Sequence, residues 1–368
     1  MISAAAKTII ILSPPTLHSG TRPVAFRTVQ PLPPPQILAT SCRWRADGPA
    51  CAVAVGNFDG VHVGHAAIVG RLREAAAGLG VPAVVFTFDP HPASVVRPQA
   101  APVPLTTPAR RAELLSALGV DAVLVQPADR QLMALGAEAF YHDLLRGRLR
   151  AAVIVEGQDF RFGAGRAGDV AMLRGLCAAD GVTLEVVEPV FVGGAAVSSS
   201  RLRGLVAAGD VRGANTLLTA AYRLTGTVVT GARRGATLGF PTANLDAIAT
   251  LLPAQGVYAA RAGVVEPGDG PRPTWPAAVH IGPNVSFGGT AVSVEVHLIG
   301  FAGDLYGRRL DVDFLERLRD THIFTSVDEL RAQLAADVDA AARVAMHGHR
   351  GGPPASAGSD PAGLTGTT

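Results

Sequence analysis

The chain has 368 residues, 48% of them hydrophobic and 17% charged, with a formal net charge of +2. That is enough chain for two domains with cores of their own, and too little charge imbalance to favour nucleic acid or an anionic membrane as partner. Three cysteines, Cys42, Cys51 and Cys177, are odd in number and lack metal-ligand spacing, which speaks against a disulfide framework and for a reducing, cytoplasmic setting.

Residues 1–46 contain Lys7, Arg22, Arg27, Arg43 and Arg45 but no Asp or Glu, and the apolar run at 9–12 stops at Pro14 and Pro15, far short of a membrane span. With the cluster PLPPPQ and no periodicity, 1–49 is expected to be a disordered or mis-assigned extension. The same composition also occurs in organelle transit peptides. From Cys51 apolar runs (CAVAVG, VPAVVFTF, DAVLVQ, AAVIVE, TLEVVEPVFV) alternate with amphipathic stretches. In GHAAIVGRLREAAAGLG, residues Ile68, Leu72, Ala75, Ala76 and Leu79 share one helical face. TPARRAELLSALG opens with Thr107 as N-cap and Pro108 at the first helical position, and closes at Gly119. Continuous apolar strands separated by helices predict a parallel sheet covered on both faces, a doubly wound α/β domain over 50–211.

In such a sheet ligands sit beyond the carboxyl ends of the strands. GNFDGVHVGH (56–65) lies at one of those ends. Gly56, Gly60 and Gly64 allow close backbone approach, and His65 falls where free N–H groups of the next helix favour an anion. His62 and His65 suit hydrogen bonding to a triphosphate, although a metal pair or two solvent-facing loop histidines fit the bare spacing as well. The motif Gly163-x-Gly165-x-x-Gly168 spells a dinucleotide fingerprint, but QDFRF separates it from the preceding strand, so nicotinamide binding is not expected.

After a linker at 212–221 the pattern changes. YRLTGTVVTG, GVYAARAGVV, AAVHIG, AVSVEVHLIGF and RRLDVDF read as strands punctuated by Gly and Pro, predicting an antiparallel barrel or sandwich over 222–347. One helix follows, with Ser326 and Glu329 as capping box and Val327, Leu330, Leu334, Val338, Ala341 and Ala345 as its apolar stripe. Residues 348–368 are a low-complexity tail. Thr242 and Asn244 in PTAN place two side-chain oxygens on one side of an extended segment. Glu295 projects opposite Val294, Val296 and Leu298.

GNFDGVHVGH, with FTFDPHP, GQDFRFGAGRAGD and VSSSRLRGLVAAGD downstream, resembles the adenylyltransferase half of bifunctional riboflavin kinase/FMN adenylyltransferases. GTVVTGARRGATLGFPTANL resembles the same family's kinase barrel. The resemblance covers about 50–346. It implies a nucleotidyltransferase domain followed by an antiparallel β-barrel kinase domain with a closing helix, making FMN from riboflavin and then FAD, with ATP as co-substrate and Mg²⁺ as cofactor. By resemblance His62, His65 and Arg203 are catalytic on the first domain, with Gly56, Phe58, Asp59, Gly64, Ser198 and Ser199 at ATP. Asp159, Phe160, Phe162 and Gly163 contact flavin. In the barrel the resemblance implies Glu295 as base, Gly231, Gly235 and Gly239 around the phosphates, and Thr242 and Asn244 on ATP and metal. The chain departs from the family at Ala236, at Asn284–Phe287 and in the linker TAAY, where Gly-Arg-Pro is usual before the tyrosine; Arg233 or Arg234 could restore the charge lost at Ala236. Those departures leave two alternatives: an adenylyltransferase with an impaired kinase, or a non-catalytic flavin-binding regulator. Expected partners are ATP and flavins, with no nucleic acid or membrane; a transient homo-oligomer is left open.

Overall fold

The computed structural model describes residues 36–39, 50–231, 234–265, 273–283 and 292–347, with the backbone alone at 36–39, 234 and 236. Strands β1 (Gln36–Ala39), β2 (Cys51–Val55), β3 (Ala83–Asp89), β4 (Ala122–Pro127) and β5 (Ala151–Gly157) come first; β6 (Arg161–Phe162) and β7 (Gly168–Asp169) form a small hairpin, and β8 (Thr183–Val187) follows. The main sheet runs β1-β4-β3-β2-β5-β8, parallel throughout except for β1, which pairs antiparallel with β4. β1 is a correction: four residues of the lead expected to be disordered complete the sheet edge, while 1–35, 40–49 and the tail 348–368 lie outside the described residues.

The α-helices between these strands are α1 (Val63–Leu79), α2 (Pro92–Val96), α3 (Pro108–Ala117), α4 (Arg130–Met133), α5 (Ala137–Ala139), which continues into a π-helix (Phe140–Arg148), and α6 (Val170–Asp180). Alternate residues of β2 feed two cores. Cys51, Val53 and Val55 pack with Phe86, Tyr141 and Leu173, whereas Ala52 and Ala54 pack with Leu72 of α1 and Leu115 of α3. Both faces are therefore covered, as near-continuous apolar strands require. Thr107 caps α3 through Arg110 N at 3.2 Å, with Pro108 next in line. The face expected for α1 needs one correction: Val69, Leu72 and Ala76 are buried, while Leu79 is exposed in the last turn, where the chain leaves through left-handed Gly80.

A hairpin of β9 (Phe191–Val192) and β10 (Ala195–Ala196) leads into α7 (Ser199–Ala207) and α8 (Val211–Leu217). The stretch 212–221, expected as a plain linker, is mostly α8. Its Val211, Ala214 and Leu217 share one core with Leu105, Leu202 and the barrel interior, so this segment joins the two halves by packing. The barrel consists of β11 (Arg223–Val229), β12 (Ala243–Asp246), β13 (Gly256–Val264), β14 (Trp275–Pro283), β15 (Val292–Leu298) and β16 (Arg309–Arg319), closed in the order β11-β12-β15-β14-β13-β16 with every neighbour antiparallel. Closure removes free strand edges. A short helix, α9 (Arg234–Thr237), interrupts the otherwise all-strand pattern, and α10 (Val327–His347) lies against β13, β14 and β16.

The α10 stripe also differs from expectation. Val327 is exposed, and Asp337 is buried together with Ala341 and Ala345. The helix meets the outer wall of the barrel, where Arg319 projects and grips Asp337 at 2.7 Å and 2.9 Å, so the contact row must hold a carboxylate. Ser326 Oγ accepts from Glu329 N at 3.1 Å, but the Glu329 carboxylate reaches Thr325 N and Oγ1 rather than Ser326.

Candidate active sites

Beyond the carboxyl edge of the sheet the chain passes from β2 to β3 on one side of β2 and later to β5 on the other. The crevice between those departures is where an open α/β sheet takes its ligand. The loop 56–62 enters it from β2. Phe58 and Val61 have positive φ (46° and 42°) in addition to Gly60 (87°), so this is a tightly wound turn. The glycines answer local packing needs: a Cβ on Gly60 would press Leu105 and Leu202, and one on Gly64 would press the His62 ring at 3.1 Å.

His62 is the N-cap of α1. Its Nδ1 accepts from His65 N at 3.2 Å, and His65 Nδ1 accepts from His62 N at 3.4 Å, a capping box built from two imidazoles. The rings stack with centroids 3.6 Å apart, and Phe58 backs His65 at 5.0 Å. Burial lowers His62 to about 4, partly countered by its own backbone hydrogen bond and by Asp59 and Asp159. Burial also takes His65 well below its ordinary value, with His62 and Arg111 adding to the effect. Both rings are therefore neutral near pH 7. With each Nδ1 accepting a backbone N–H, the remaining proton sits on Nε2. The site holds two neutral Nε2–H donors at a helix N-terminus.

Asp59, expected at ATP, is instead an internal tie. It is 2% exposed and accepts from Leu105 N at 2.9 Å, Thr106 N at 2.9 Å and Thr106 Oγ1 at 2.9 Å. Arg203 Nη2 also reaches it at 2.5 Å, with Arg111 at 3.8 Å. Arg203 spends Nε on the Val103 carbonyl at 3.0 Å, leaving the Nη1 end of its fork without a protein partner among the described residues. Ser198 caps α7 through Arg201 N, and Ser199 Oγ donates to the Asp59 carbonyl at 2.8 Å, so both hydroxyls serve the loop itself. Phe58, at 3% exposure, belongs to the core and forms the wall behind His65.

The loop after β5 forms the other lip. Asp159 is exposed and Phe160 partly exposed, stacked on Phe162 at 5.5 Å. Phe162 is a correction, since it is buried in the core against Phe140. At Gly163 a Cβ would lie 2.6 Å from the Ala137 backbone, and Gly168 lies under the Phe162 ring. These glycines shape a hairpin and do not turn a strand into a helix, so the apparent dinucleotide fingerprint has a packing explanation.

Four residues were missed from the sequence. Arg111, 5% exposed, donates to Thr87 Oγ1 and the Phe88 carbonyl, both at 3.0 Å. His91 caps α2 through Ala93 N, and burial together with nearby Arg203 lowers its basicity. Glu156 accepts from Val55 N at 2.7 Å, and burial raises its carboxyl well above the usual range. Asn57 Oδ1 is buried without a hydrogen-bond partner among the described residues. All four stand inside the quoted segments, at GNFDG, FTFDPHP, TPARR and AAVIVE, where spacing alone does not distinguish them.

The second constellation is on the outer wall of the barrel. Ala243 and Leu245 point inward, so Asn244 points outward, as Glu295 does between Val294 and Val296. Asn244 and Glu295 are direct cross-strand partners, with His280 next in the same row on β14. Ser293 Oγ lies 3.4 Å from Glu295 Oε1. Thr242 precedes β12 two residues before Asn244, and His297 Nδ1 meets the Pro241 carbonyl at 2.7 Å, pinning PTAN. A Cβ on Gly231 would fall 2.1 Å from Asn244 Nδ2, and one on Gly235 would strike the Phe240 carbonyl at 2.3 Å. Gly239 has a positive φ of 90°. Arg233, the side chains of Arg234 and Ala236, and 284–287 lie outside the described residues. His280 and His297 went unnoticed in the sequence, although the alternation in SVEVHL places His297 beside Glu295.

Comparison with known proteins decides the family. The FAD synthetase family model matches residues 45–201 and the riboflavin kinase model matches 218–345. A bifunctional riboflavin kinase/FMN adenylyltransferase of Pseudomonas fluorescens is 39% identical over 309 residues, 83% of this chain and 97% of that protein. The chain belongs to the bifunctional riboflavin kinase/FMN adenylyltransferase family. An Escherichia coli (strain K12) member is 37% identical over 287 residues, 78% of this chain and 90% of that protein. A solved structure described as a macrolide-efflux protein from Streptococcus pneumoniae is 32% identical with a TM-score of 0.70, covering 81% of this chain and 95% of that one. Among the described residues of this family member no helix is long and apolar enough to cross a membrane.

Proposed function

We propose how the two halves divide the making of FAD. The chain is a riboflavin kinase and an FMN adenylyltransferase: it phosphorylates riboflavin to FMN with ATP, then adenylylates FMN to FAD with release of pyrophosphate. In the first domain an FMN phosphate oxygen attacks the α-phosphorus of ATP; the new O–Pα bond forms as the bond from Pα to the bridging oxygen breaks. No protein nucleophile is needed. His62 and His65 donate from Nε2 to the phosphates whose charge grows as pyrophosphate leaves, at the positive end of α1. The free end of Arg203 adds a charged donor, held in place by Asp59. Gly56 and Gly64 bring the loop close to ATP, and Asn57 Oδ1 is a further ligand contact. Asp159 and Phe160 contact the flavin. The observation that carries this reading is the pair of neutral, stacked imidazoles capping α1 at the crevice.

In the barrel, Glu295 takes the proton from the ribityl 5′-hydroxyl of riboflavin as that oxygen attacks the γ-phosphorus and ADP leaves. Thr242 and Asn244 would hold Mg²⁺. Their oxygens suit it, and Gly231 leaves the Asn244 amide a space that a Cβ would fill. Among the described residues no cluster of three His, Cys, Asp or Glu offers a dedicated metal cage, which fits an ion shared with nucleotide phosphates. Bound there, Mg²⁺ would neutralise phosphate charge. Gly231, Gly235 and Gly239 shape the loop around those phosphates.

Chromatography of flavins after incubation with Mg-ATP tests the assignment. Riboflavin should become FMN and then FAD, and His62→Ala should stop the sequence at FMN. A His62→Ala protein that makes FAD at the parent rate would overturn the first site.

A further inference from the structure

The peptide group between Val61 and His62 is held at both ends. At one end the Val61 carbonyl accepts two hydrogen bonds from a single residue 158 positions away: Thr219 Oγ1 at 2.7 Å and Thr219 N at 3.3 Å. At the other end the His62 N–H points to His65 Nδ1 at 3.4 Å. A trans peptide is planar with its C=O and N–H opposed, so fixing the oxygen fixes the direction of the N–H. Val61 needs such a restraint, since it is β-branched, fully buried and left-handed at φ 42°. That conformation is costly for a β-branched residue and persists only where the surroundings impose it. Leu218 adds an antiparallel bridge to His62 itself. Thr219 begins the TAAY stretch that continues through Tyr222 into β11, so the clamp on the histidine loop is anchored to the kinase barrel.

We propose that Thr219 is a positioning residue for FMN adenylylation: through the Val61 carbonyl it sets the peptide that aims the capping box of His62 and His65. Without the hydroxyl the carbonyl keeps only the longer N–H contact. The peptide then rotates about its strained Val61 end, and His65 Nδ1 loses the donor that keeps the ring proton on Nε2. The inference rests on the assignment of His62 and His65 to the adenylylation site and goes beyond it in making that site depend on the segment leading into the other domain.

The test uses the full chain with Thr219→Val, which keeps the shape and removes the hydroxyl, and Thr219→Ser, which restores it. One lost hydrogen bond corresponds to a fall of about three- to tenfold in kcat for FMN adenylylation. KM for FMN and ATP should stay within about twofold, as expected when alignment and not uniform binding is lost. Riboflavin phosphorylation should be unchanged and Thr219→Ser should recover the rate. Nitrogen NMR of the histidine rings should show loss of the single Nε2–H tautomer in Thr219→Val. Parent-like adenylylation and ring spectra in Thr219→Val, or a Thr219→Ser protein as slow as Thr219→Val, would overturn the proposal. Parallel His62→Ala separates the two failures: if it leaves adenylylation intact, the site assignment is wrong, whereas if it abolishes adenylylation while Thr219→Val does not slow it, only the clamp is wrong.

Discussion

Replacing Asp59 by Asn removes one charge from a place where three backbone or hydroxyl donors and two guanidinium groups converge. Both carboxylate oxygens already accept: Oδ1 from Leu105 N, Thr106 N and Thr106 Oγ1, and Oδ2 from Leu105 N and Arg203. Whichever way the amide is turned, its NH₂ faces at least one of those donors. Arg111, with a side chain 6% exposed, is left buried beside Arg203 with Asp89 as its remaining acidic neighbour. Removing one partner of a buried charge pair costs about 3–5 kcal/mol. For a domain of this size that corresponds to a fall of about 10 °C in Tm. Differential scanning calorimetry of the full chain is the assay, with FMN adenylylation measured well below the new transition. The expected result is an early transition for the adenylyltransferase half and weakened ATP binding there as Arg203 comes loose, while phosphorylation of riboflavin persists below it. A melting curve within about 2 °C of the parent would refute the claim that Asp59 is the internal tie of this loop.

Further outcomes follow from the same geometry. Glu295→Gln should abolish riboflavin phosphorylation while FMN adenylylation continues; an equal fall in both would show the division between domains to be wrong. Gly231→Ala places a methyl on the Asn244 amide, so kinase KM for Mg-ATP should rise about tenfold or more with adenylylation untouched, as titration of each activity against Mg-ATP would show. His62 is depressed to about 4, so in the native chain it remains neutral between pH 8 and 6 and adenylylation should not fall there for want of its neutral form. Stability behaves otherwise. The unfolded chain takes up this proton near pH 6.5 and the folded one only near 4, so folding loses stability as pH drops through that window, by on the order of 3 kcal/mol for His62. Urea unfolding at pH 7, 5.5 and 4.5 measures this; the loss should shrink in His62→Asn.

Much of the architecture is legible in the sequence because it rests on local patterns. Five apolar runs became five parallel strands, Thr107 and Pro108 start α3, and the alternation around Glu295 gives its side of the barrel wall directly. Failures of the local pattern occur where tertiary contacts override it. Leu79 is on the apolar face of α1 but beyond what the sheet covers, and α10 buries Asp337 because Arg319 stands opposite. Residues 36–39 have no signal stronger than QILA; they become a strand because β4 presents an open edge.

The functional residues divide along the same line. Glycine spacing and the His-x-x-His pattern locate the crevice, but the state of each side chain depends on partners far away in the chain. Asp59 is tied to Arg203, 144 positions on, and Val61 to Thr219, 158 positions on. Those ties change the chemistry attributed to the residues. Asp59 becomes the counter-ion that orients an arginine, and the two serines before α7 become loop supports. The histidines become neutral donors with a defined tautomer, because the box that caps α1 uses up both Nδ1 atoms. In the proposed adenylylation, Nε2–H donors fixed by backbone and shielded by burial would need no reorganisation as negative charge grows on the departing pyrophosphate.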